Sequence, residues 1–149
     1  MADRVAVELR EESNYRFTAS FPGTAIPPVT LDEAPPLGGG AGPNPSRLIG
    51  AAVGHCLASS LLFCAQKARV PLEKVEVDVS VGLGRNERGR LRVVDVEVQL
   101  RPTLAASTDP AALDRCKELF EDFCVVIESV RHGVPVRVGF PGAGAAPGT

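Results

Sequence analysis

The chain has 149 residues, of which 44% are hydrophobic and 23% are charged, and its formal net charge is −2. This size and composition predict one compact domain, and the lack of a basic excess argues against a nucleic-acid partner, since phosphate binding needs clustered Lys and Arg. We see no uninterrupted apolar run of the ~18 residues that a membrane span needs, and the charged start MADRVAVELREE is unlike a secretory signal. We therefore expect a cytoplasmic protein without a membrane partner.

An antiparallel sheet is predicted for the first thirty residues, where apolar and polar side chains alternate. Strands are expected over residues 5–9 and 15–21, joined by a turn near residues 12–14, with a third short strand near residues 29–31. The segment 33–45 that follows is rich in Pro and Gly, which exclude regular structure, so it predicts a long loop.

A long helix is predicted after this loop, over residues 46–69. Asn44 is a preferred N-cap residue, and Pro45 suits the first helical turn because its fixed φ is already helical. Apolar residues recur along the segment at helical spacing, and small residues fill much of the rest. Neighbouring elements can therefore approach the helix on several sides, which predicts a central and largely buried helix.

A valine-rich hairpin is predicted next. Valines alternate with polar residues over residues 75–81 and again over residues 91–100, and the charged, Gly-containing segment 85–90 between them is typical of a hairpin loop. A second helix then begins at Asp109, with Asp as its cap and Pro110 in its first turn.

The end of the chain is predicted to form a short helix, a strand and a tail. The helix begins at Cys124, the strand covers residues 134–138, and residues 141–149 form a flexible tail of Gly, Ala and Pro. Hairpins around a buried helix indicate an α+β fold, which we expect to form one domain over residues 1–140.

Four cysteines, Cys56, Cys64, Cys116 and Cys124, form two pairs that are each spaced by eight residues. In a reducing compartment such cysteines are more often buried, catalytic or metal-binding than joined in structural disulfides. The chain has no C-x-x-C motif, and neither histidine stands at a zinc-finger spacing, which argues against structural zinc. No metal and no cofactor are therefore expected.

Local chemistry distinguishes these cysteines. Cys124 is predicted to lie in the first turn of a helix, where unpaired N–H groups and the helix dipole stabilise a thiolate. Cys56 lies on the apolar stripe of the long helix, where a cysteine often serves only as a small hydrophobe. We expect Cys64, roughly 12 Å further along the same helix, and Cys116 in the core, with Cys116 as an alternative resolving thiol.

The order of these features resembles the OsmC/Ohr family. The residues that carry the resemblance are Asn44-Pro45 at the start of the long helix, Leu48, Ala51, Ala52 and Cys56 along it, the valine-rich hairpin, Cys124 at the start of the short helix, and the ending at residues 134–138. The resemblance covers nearly the whole chain and implies an OsmC-like α+β fold. In that fold, antiparallel sheets wrap around a long buried central helix in an intertwined homodimer.

The resemblance also implies a thiol-dependent peroxidase that reduces organic hydroperoxides or hydrogen peroxide. Cys56 would attack the peroxide and become a sulfenic acid, and Cys124 would capture that acid as an intrasubunit disulfide. A dithiol reductant would then restore both thiols. The residue implied to activate Cys56 is Arg16, with Arg47 as a weaker candidate.

Two positions depart from the family pattern. Efficient peroxidases of the family carry a Glu ten residues before the first Cys, whereas this chain has Ser46 there. Glu33 in the loop is a possible substitute carboxylate. The second departure is minor, because Val125 follows Cys124 where the family often has Pro, which is helpful but not required at a first helical position.

Two other functions stay open. Because the Glu is missing, the chain is alternatively a catalytically weak or inactive dimer that binds a small apolar ligand at the subunit interface. A metal site built from Cys56, Cys124 and a histidine is the third hypothesis. Against it, His55 points about 100° away from Cys56 on the helix, and an ordinary role at a helix C-terminus explains His132.

Overall fold

The computed structural model describes residues 3–142, which form five strands and three α-helices. In chain order the elements are β1 (Glu8–Ser13), β2 (Arg16–Ser20), β3 (Val29–Leu31), α1 (Pro45–Lys67), β4 (Leu72–Arg85), β5 (Leu91–Leu104), α2 (Asp114–Leu119) and α3 (Val125–His132). Two 3-10 turns, Pro110–Leu113 and Phe120–Phe123, flank α2. Most of the predicted tail, residues 143–149, lies outside the described residues.

Two antiparallel sheets account for all five of these strands. The first has the order β1-β2-β3 and the second is the β4-β5 hairpin. The turn between β1 and β2 lies at Asn14 and Tyr15, and Asn14 adopts a φ of 53°, which Asn tolerates better than most residues. Antiparallel sheets beside a long helix confirm the predicted α+β class.

The predicted long helix is confirmed as α1, within two residues at its C-terminal end. Its start is fixed by the side-chain oxygen of Asn44, which accepts the backbone N–H of Arg47 at 3.0 Å, while Pro45 occupies the first turn. Asn44 thus satisfies one of the free N–H groups that a helix start leaves unpaired.

Two glycines let α1 lie close against β4. A methyl group built on Gly54 would meet a methyl group of Val79 at 2.6 Å, and one built on Gly50 would meet a methyl group of Val81 at 2.9 Å. Carbon atoms normally stay about 3.5–4 Å apart. The small residues noted in the sequence are therefore a requirement of helix–sheet packing at these two positions.

The other side of α1 packs against the helical segments that follow β5. One continuous cluster of buried side chains joins them, and it consists of Val53, Leu57, Leu61, Ala65, Val70, Leu113, Cys116, Phe120, Cys124 and Ile127. The predicted second helix is present but interrupted, because 3-10 turns replace α-helical structure on both sides of α2. This cluster is the hydrophobic core of the chain.

The length and composition of α1 also satisfy the criteria for a membrane span. This corrects the expectation that no segment of the chain does so, which considered only uninterrupted apolar runs. The apolar character of α1 is explained by its place in the core, between β4 and the helices α2 and α3.

The predicted strand over residues 134–138 is wrong. Residues 133–140 extend beyond α3 without joining a sheet, and the exposed fractions of Val134, Val136, Val138 and Phe140 are 61%, 81%, 79% and 82%. Alternation shows which side chains of a strand share a face, but a strand also needs a free edge to pair with. Within residues 3–142 neither sheet pairs with this segment.

The first sheet lies outside the hydrophobic core. Among the described residues, none from β1, β2 or β3 belongs to the buried cluster around α1, and every residue of β1 is exposed. Apolar side chains such as Val5, Val7 and Leu9 are at least half exposed. The sheet therefore presents apolar surface that the chain alone does not cover.

Candidate functional site

The structure brings together the two cysteines that the sequence singled out. Cys56 lies about three turns along α1 and Cys124 is the N-cap residue of α3. The two side chains are neighbours, because Cys56 packs against the buried cluster that contains Cys124 and is among the groups that raise the pKa of Cys124. Cys56 is half-buried, whereas only 2% of Cys124 is exposed, so Cys56 is the member of the pair that a solute can reach.

The first turn of α3 supplies backbone donors to both sulfurs. The N–H of Val126 donates to the Cys56 sulfur at 3.5 Å, and the N–H of Ile127 donates to the Cys124 sulfur at 3.3 Å. These N–H groups are free because a helix start leaves its first four donors without intrahelical partners. Consecutive N–H groups of one helix start thus reach the two sulfurs.

The predicted stabilisation of a Cys124 thiolate is wrong in sign. Burial raises the pKa of Cys124, and the neighbouring Cys56 thiol raises it further. The N–H groups of Ile127 and Val126 lower the pKa, as expected at a helix start, but their effect is smaller than that of burial. Cys124 is therefore a protonated thiol at neutral pH.

Exposed ion pairs lie at the C-terminal end of α3. The Arg131 guanidinium contacts the carboxylate of Glu121 in the preceding 3-10 turn at 3.0 Å and that of Glu128 in α3 at 3.0 Å. His132 ends α3 and lies 3.0 Å from the carbonyl oxygen of Glu128. The expected place of His132 at a helix C-terminus is confirmed.

Arg16 and Asp32 form a second polar cluster. The Asp32 carboxylate is buried, with 2% of its side chain exposed, and lies 3.9 Å from the Nε of Arg16. It accepts the backbone N–H groups of Gly39 at 3.2 Å and Ala41 at 3.0 Å. Within the described part of the chain, the buried Nε of Arg16 has no hydrogen-bond partner. Asp32 therefore organises the Pro- and Gly-rich loop and holds Arg16 beside it.

Sequence reasoning missed Asp32, although it considered the adjacent Glu33. The backbone carbonyl of Glu33 accepts the N–H of Gly40 at 3.0 Å, while the carboxylate that faces Arg16 belongs to Asp32. The isolated Asp at the end of β3, directly before a loop with many free N–H groups, is the signal that could have identified it.

The remaining two cysteines also meet. Cys64 lies two turns beyond Cys56 on α1, and Cys116 lies on α2. Cys64 packs against the buried cluster that contains Cys116, and burial first, then the neighbouring Cys64, raises the pKa of Cys116 to about 11. Only 2% of Cys116 is exposed, and Cys64 is half-buried. Cys116 thus lies in the core as expected.

A groove of about 620 Å³ runs along the opposite side of α1, over β4. Valine and leucine side chains of β4 form its floor, and Ser46, Arg47 and His55 line its wall. Ser46 and Arg47 therefore face this groove. Among residues 3–142, no group of three or more His, Cys, Asp and Glu side chains is arranged to hold a metal ion.

Comparison with known proteins agrees with the resemblance seen in the sequence. The profile of OsmC-like proteins matches residues 38–139, more than half of the chain. A search of curated protein sequences finds no match.

Several solved structures share the fold at low sequence identity. An OsmC-like protein of unknown function from Vibrio cholerae is 18% identical, with a TM-score of 0.70 over 86% of this chain and 94% of that chain. An OsmC-like protein from Mycoplasma pneumoniae is 12% identical, with a TM-score of 0.72 over 88% and 89%. The organic hydroperoxide resistance protein OhrB of Bacillus subtilis is 18% identical, with a TM-score of 0.59 over 87% and 91%. With its α+β architecture and the profile match, the chain belongs to the family of OsmC-like proteins.

Proposed function

We propose that this protein is a thiol-dependent peroxidase that reduces organic hydroperoxides or hydrogen peroxide through Cys56 and Cys124. The observation that carries the proposal is that consecutive N–H groups at the start of α3, those of Val126 and Ile127, donate to the sulfurs of Cys56 and Cys124. The hydroperoxide resistance protein with the same fold supports the substrate class.

In this proposal the more exposed sulfur, that of Cys56, reacts first, and that of the buried Cys124 follows. The Cys56 thiolate attacks a peroxide oxygen, the O–O bond breaks, and the alkoxide takes a proton and leaves as an alcohol. The Cys124 sulfur then attacks the Cys56 sulfenic acid, an S–S bond forms, and the hydroxyl leaves as water with the proton of Cys124. A dithiol reductant returns two electrons and two protons. Such a cycle suits a reducing compartment such as the cytoplasm.

Arg16 and Asp32 replace the arginine and glutamate of the family pattern in this proposal. Ser46 offers no carboxylate, but Asp32 is buried and faces Arg16 at 3.9 Å. Asp32 thereby orients the guanidinium, and in this proposal the dimer brings its charge to the Cys56 thiolate and the developing alkoxide. Glu33 remains a second carboxylate candidate at the adjacent position.

The working unit is a homodimer in this proposal. The first sheet lies outside the core, and residues 133–140 carry four exposed apolar side chains and pair with neither sheet of the described chain. A second copy offers both an apolar face and a free strand edge. Association would cover these surfaces, since exposed apolar surface of this extent is uncommon on a monomer.

Trapping the sulfenic acid tests the proposal. Reduced Cys124→Ser protein, treated with one equivalent of cumene hydroperoxide and then dimedone, should carry one dimedone adduct per chain at Cys56. Ser at position 124 keeps an N-cap side chain for α3. The wild-type chain should lose two thiols and release one cumyl alcohol per peroxide.

The matched control is Cys64→Ser, since Cys64 is also half-buried on α1. This variant should still lose two thiols. An adduct at Cys64 instead of Cys56, or equal thiol loss in wild type and Cys56→Ser, would exclude the proposed cycle.

The groove over β4 favours a second candidate, a dimer that binds a small apolar ligand. Its volume of about 620 Å³ and its floor of Val77, Val79, Val81 and Leu83 suit a small apolar molecule. Native mass spectrometry should then show a stoichiometric ligand that co-purifies with the protein. A ligand-free spectrum together with multiple peroxide turnovers would reject this candidate.

A further inference from the structure

The four cysteines form two dithiols stacked along one helix pair. Cys56 neighbours Cys124, and Cys64 neighbours Cys116. Cys56 and Cys64 are eight residues apart on α1, and Cys116 and Cys124 are eight residues apart on the segment after β5, which runs in the opposite direction. Two helical turns place the dithiols roughly 12 Å apart. Sulfurs at that separation cannot exchange a disulfide directly, since bridged Cα atoms lie about 4.4–6.8 Å apart.

The second dithiol repeats the burial pattern of the first. Cys64 and Cys56 are half-buried on α1, whereas their partners Cys116 and Cys124 are each 2% exposed. Cys116 belongs to the buried core cluster, and Cys64 packs against that cluster. Each pair thus has one member that a solute reaches and one that only its partner reaches.

The two dithiols differ in their backbone donors. The first pair receives N–H groups from the start of α3. Cys116 lies inside α2, and among the described residues no backbone N–H donates to the sulfur of Cys64 or of Cys116. The second pair therefore lacks the donors that stabilise a thiolate and a leaving alkoxide.

We propose that Cys64 and Cys116 are a second disulfide site, closed by exchange with a small disulfide such as oxidised glutathione, which fastens α2 to α1. The Cys64 thiolate attacks the small disulfide, gives a mixed disulfide, and releases one thiol. The Cys116 sulfur, after losing its proton to water, attacks the Cys64 sulfur and releases the second thiol. The two electrons of the protein dithiol pass to the small disulfide. This site does not depend on peroxide chemistry.

The test removes the first dithiol and oxidises the second. Cys56→Ser/Cys124→Ser protein is incubated with oxidised glutathione, and free thiols, intact mass and tryptic peptides are measured. The proposal predicts loss of both thiols and a mass lower by two hydrogens. It also predicts that the dipeptide of residues 116–117 is joined to the peptide of residues 48–67.

The control protein carries Cys116→Ala in addition to the two serine substitutions, and the alanine keeps an apolar side chain in the core. This triple variant should stop at the mixed disulfide, with one glutathione on Cys64. A stable glutathione adduct in both proteins, no reaction in either, or a disulfide between two chains would overturn the proposal.

A second measurement guards against misfolding of the serine variants. In the wild-type chain, oxidised glutathione should join residues 116–117 to residues 48–67, and that link should disappear in Cys64→Ser. The oxidised double variant should also unfold at a higher temperature than its reduced form, because the bond restricts the unfolded chain. An unchanged unfolding temperature would mean that the bond does not fasten α2 to α1.

Discussion

At the scale of single residues, exposure and protonation separate the two sulfurs of the proposed reactive pair. Cys124 is 2% exposed and burial raises its pKa, whereas Cys56 is half-buried and accepts the Val126 N–H. A raised pKa lowers the thiolate fraction, and burial keeps a reagent from the sulfur. Iodoacetamide at pH 7 should therefore modify Cys56 faster than Cys124.

Peptide mapping over time measures this ratio. Urea-unfolded protein is the control, in which the two rates should become similar because burial is lost. Faster modification of Cys124 in the folded protein would contradict the assigned order of the two sulfurs.

Cys116 makes a pH-dependent contribution to stability. Its pKa is raised from 9.0 to about 11 by burial and by Cys64, so the thiol ionises first in the unfolded chain. The contribution is fully present below pH 9 and is lost as the pH rises through about 11. Between pH 8 and pH 10.5, under reducing conditions, the unfolding free energy of wild type should fall more than that of Cys116→Ala. The difference should be of the order of 2 kcal/mol.

Urea unfolding at the two pH values checks this expectation. The Cys116→Ala variant serves as the reference because it lacks this thiol and keeps every other titrating group. An equal fall in both proteins would show that the Cys116 thiol ionises alike in the folded and unfolded chain.

Residue-scale chemistry was only partly accessible from the sequence. The pattern located Cys124 at a helix start, and the N–H donors are present. The sign of the pKa shift was missed because burial depends on tertiary contacts with α1, which the sequence does not display. Asp32 was missed for the same reason, since its partners Gly39 and Ala41 are brought to it by the path of a loop.

At the scale of elements, the close packing of α1 on β4 depends on Gly54. Alanine there would raise helix propensity by about 1 kcal/mol, but its methyl group would lie 2.6 Å from Val79. Valine is β-branched and has few alternative rotamers, and overpacking costs about 1–3 kcal/mol. Gly54→Ala should therefore lower the unfolding free energy by about 1 kcal/mol, measured by urea denaturation.

The control for this substitution is Ser59→Ala, at an exposed position on the same helix. It should change the unfolding free energy by less than about 0.5 kcal/mol. If Gly54→Ala were more stable than wild type, the close approach of α1 to β4 would not limit the side chain at this position.

Elements with local signals were predicted well. Asn44 and Pro45 fix the start of α1, and the alternating valines fix the β4-β5 hairpin, because these signals act within a few residues. The strand at residues 134–138 was predicted from alternation alone and is wrong for the described chain, because the segment pairs with neither sheet.

At the scale of the whole molecule, the exposed ending at residues 133–140 tests the proposed homodimer. Its apolar side chains alternate with Pro135 and Arg137, so an added strand would place the valines on one face. Burying one valine contributes about 1.5–3 kcal/mol. Val136→Ser should therefore raise the dimer dissociation constant about tenfold or more, as measured by analytical ultracentrifugation.

Arg137→Ser is the matched control, since it alters the other face of the same segment. Its dissociation constant should stay within about threefold of wild type, since surface substitutions usually change free energies by less than about 0.5 kcal/mol. Sedimentation of the wild-type protein as a monomer, or equal effects of both substitutions, would contradict a dimer built on this segment.

Cys56 and Cys124 of one chain are proposed to act as a redox pair, and disulfide mapping tests this proposal most directly. Reduced wild-type protein is treated with one equivalent of cumene hydroperoxide, blocked with iodoacetamide and digested with trypsin. We expect a link between residues 48–67 and 118–131 within one chain, with fragmentation between Cys56 and Cys64 placing the bond at Cys56. Peroxide consumption with this pair still reduced, or a bond from Cys124 to any other cysteine, would contradict it.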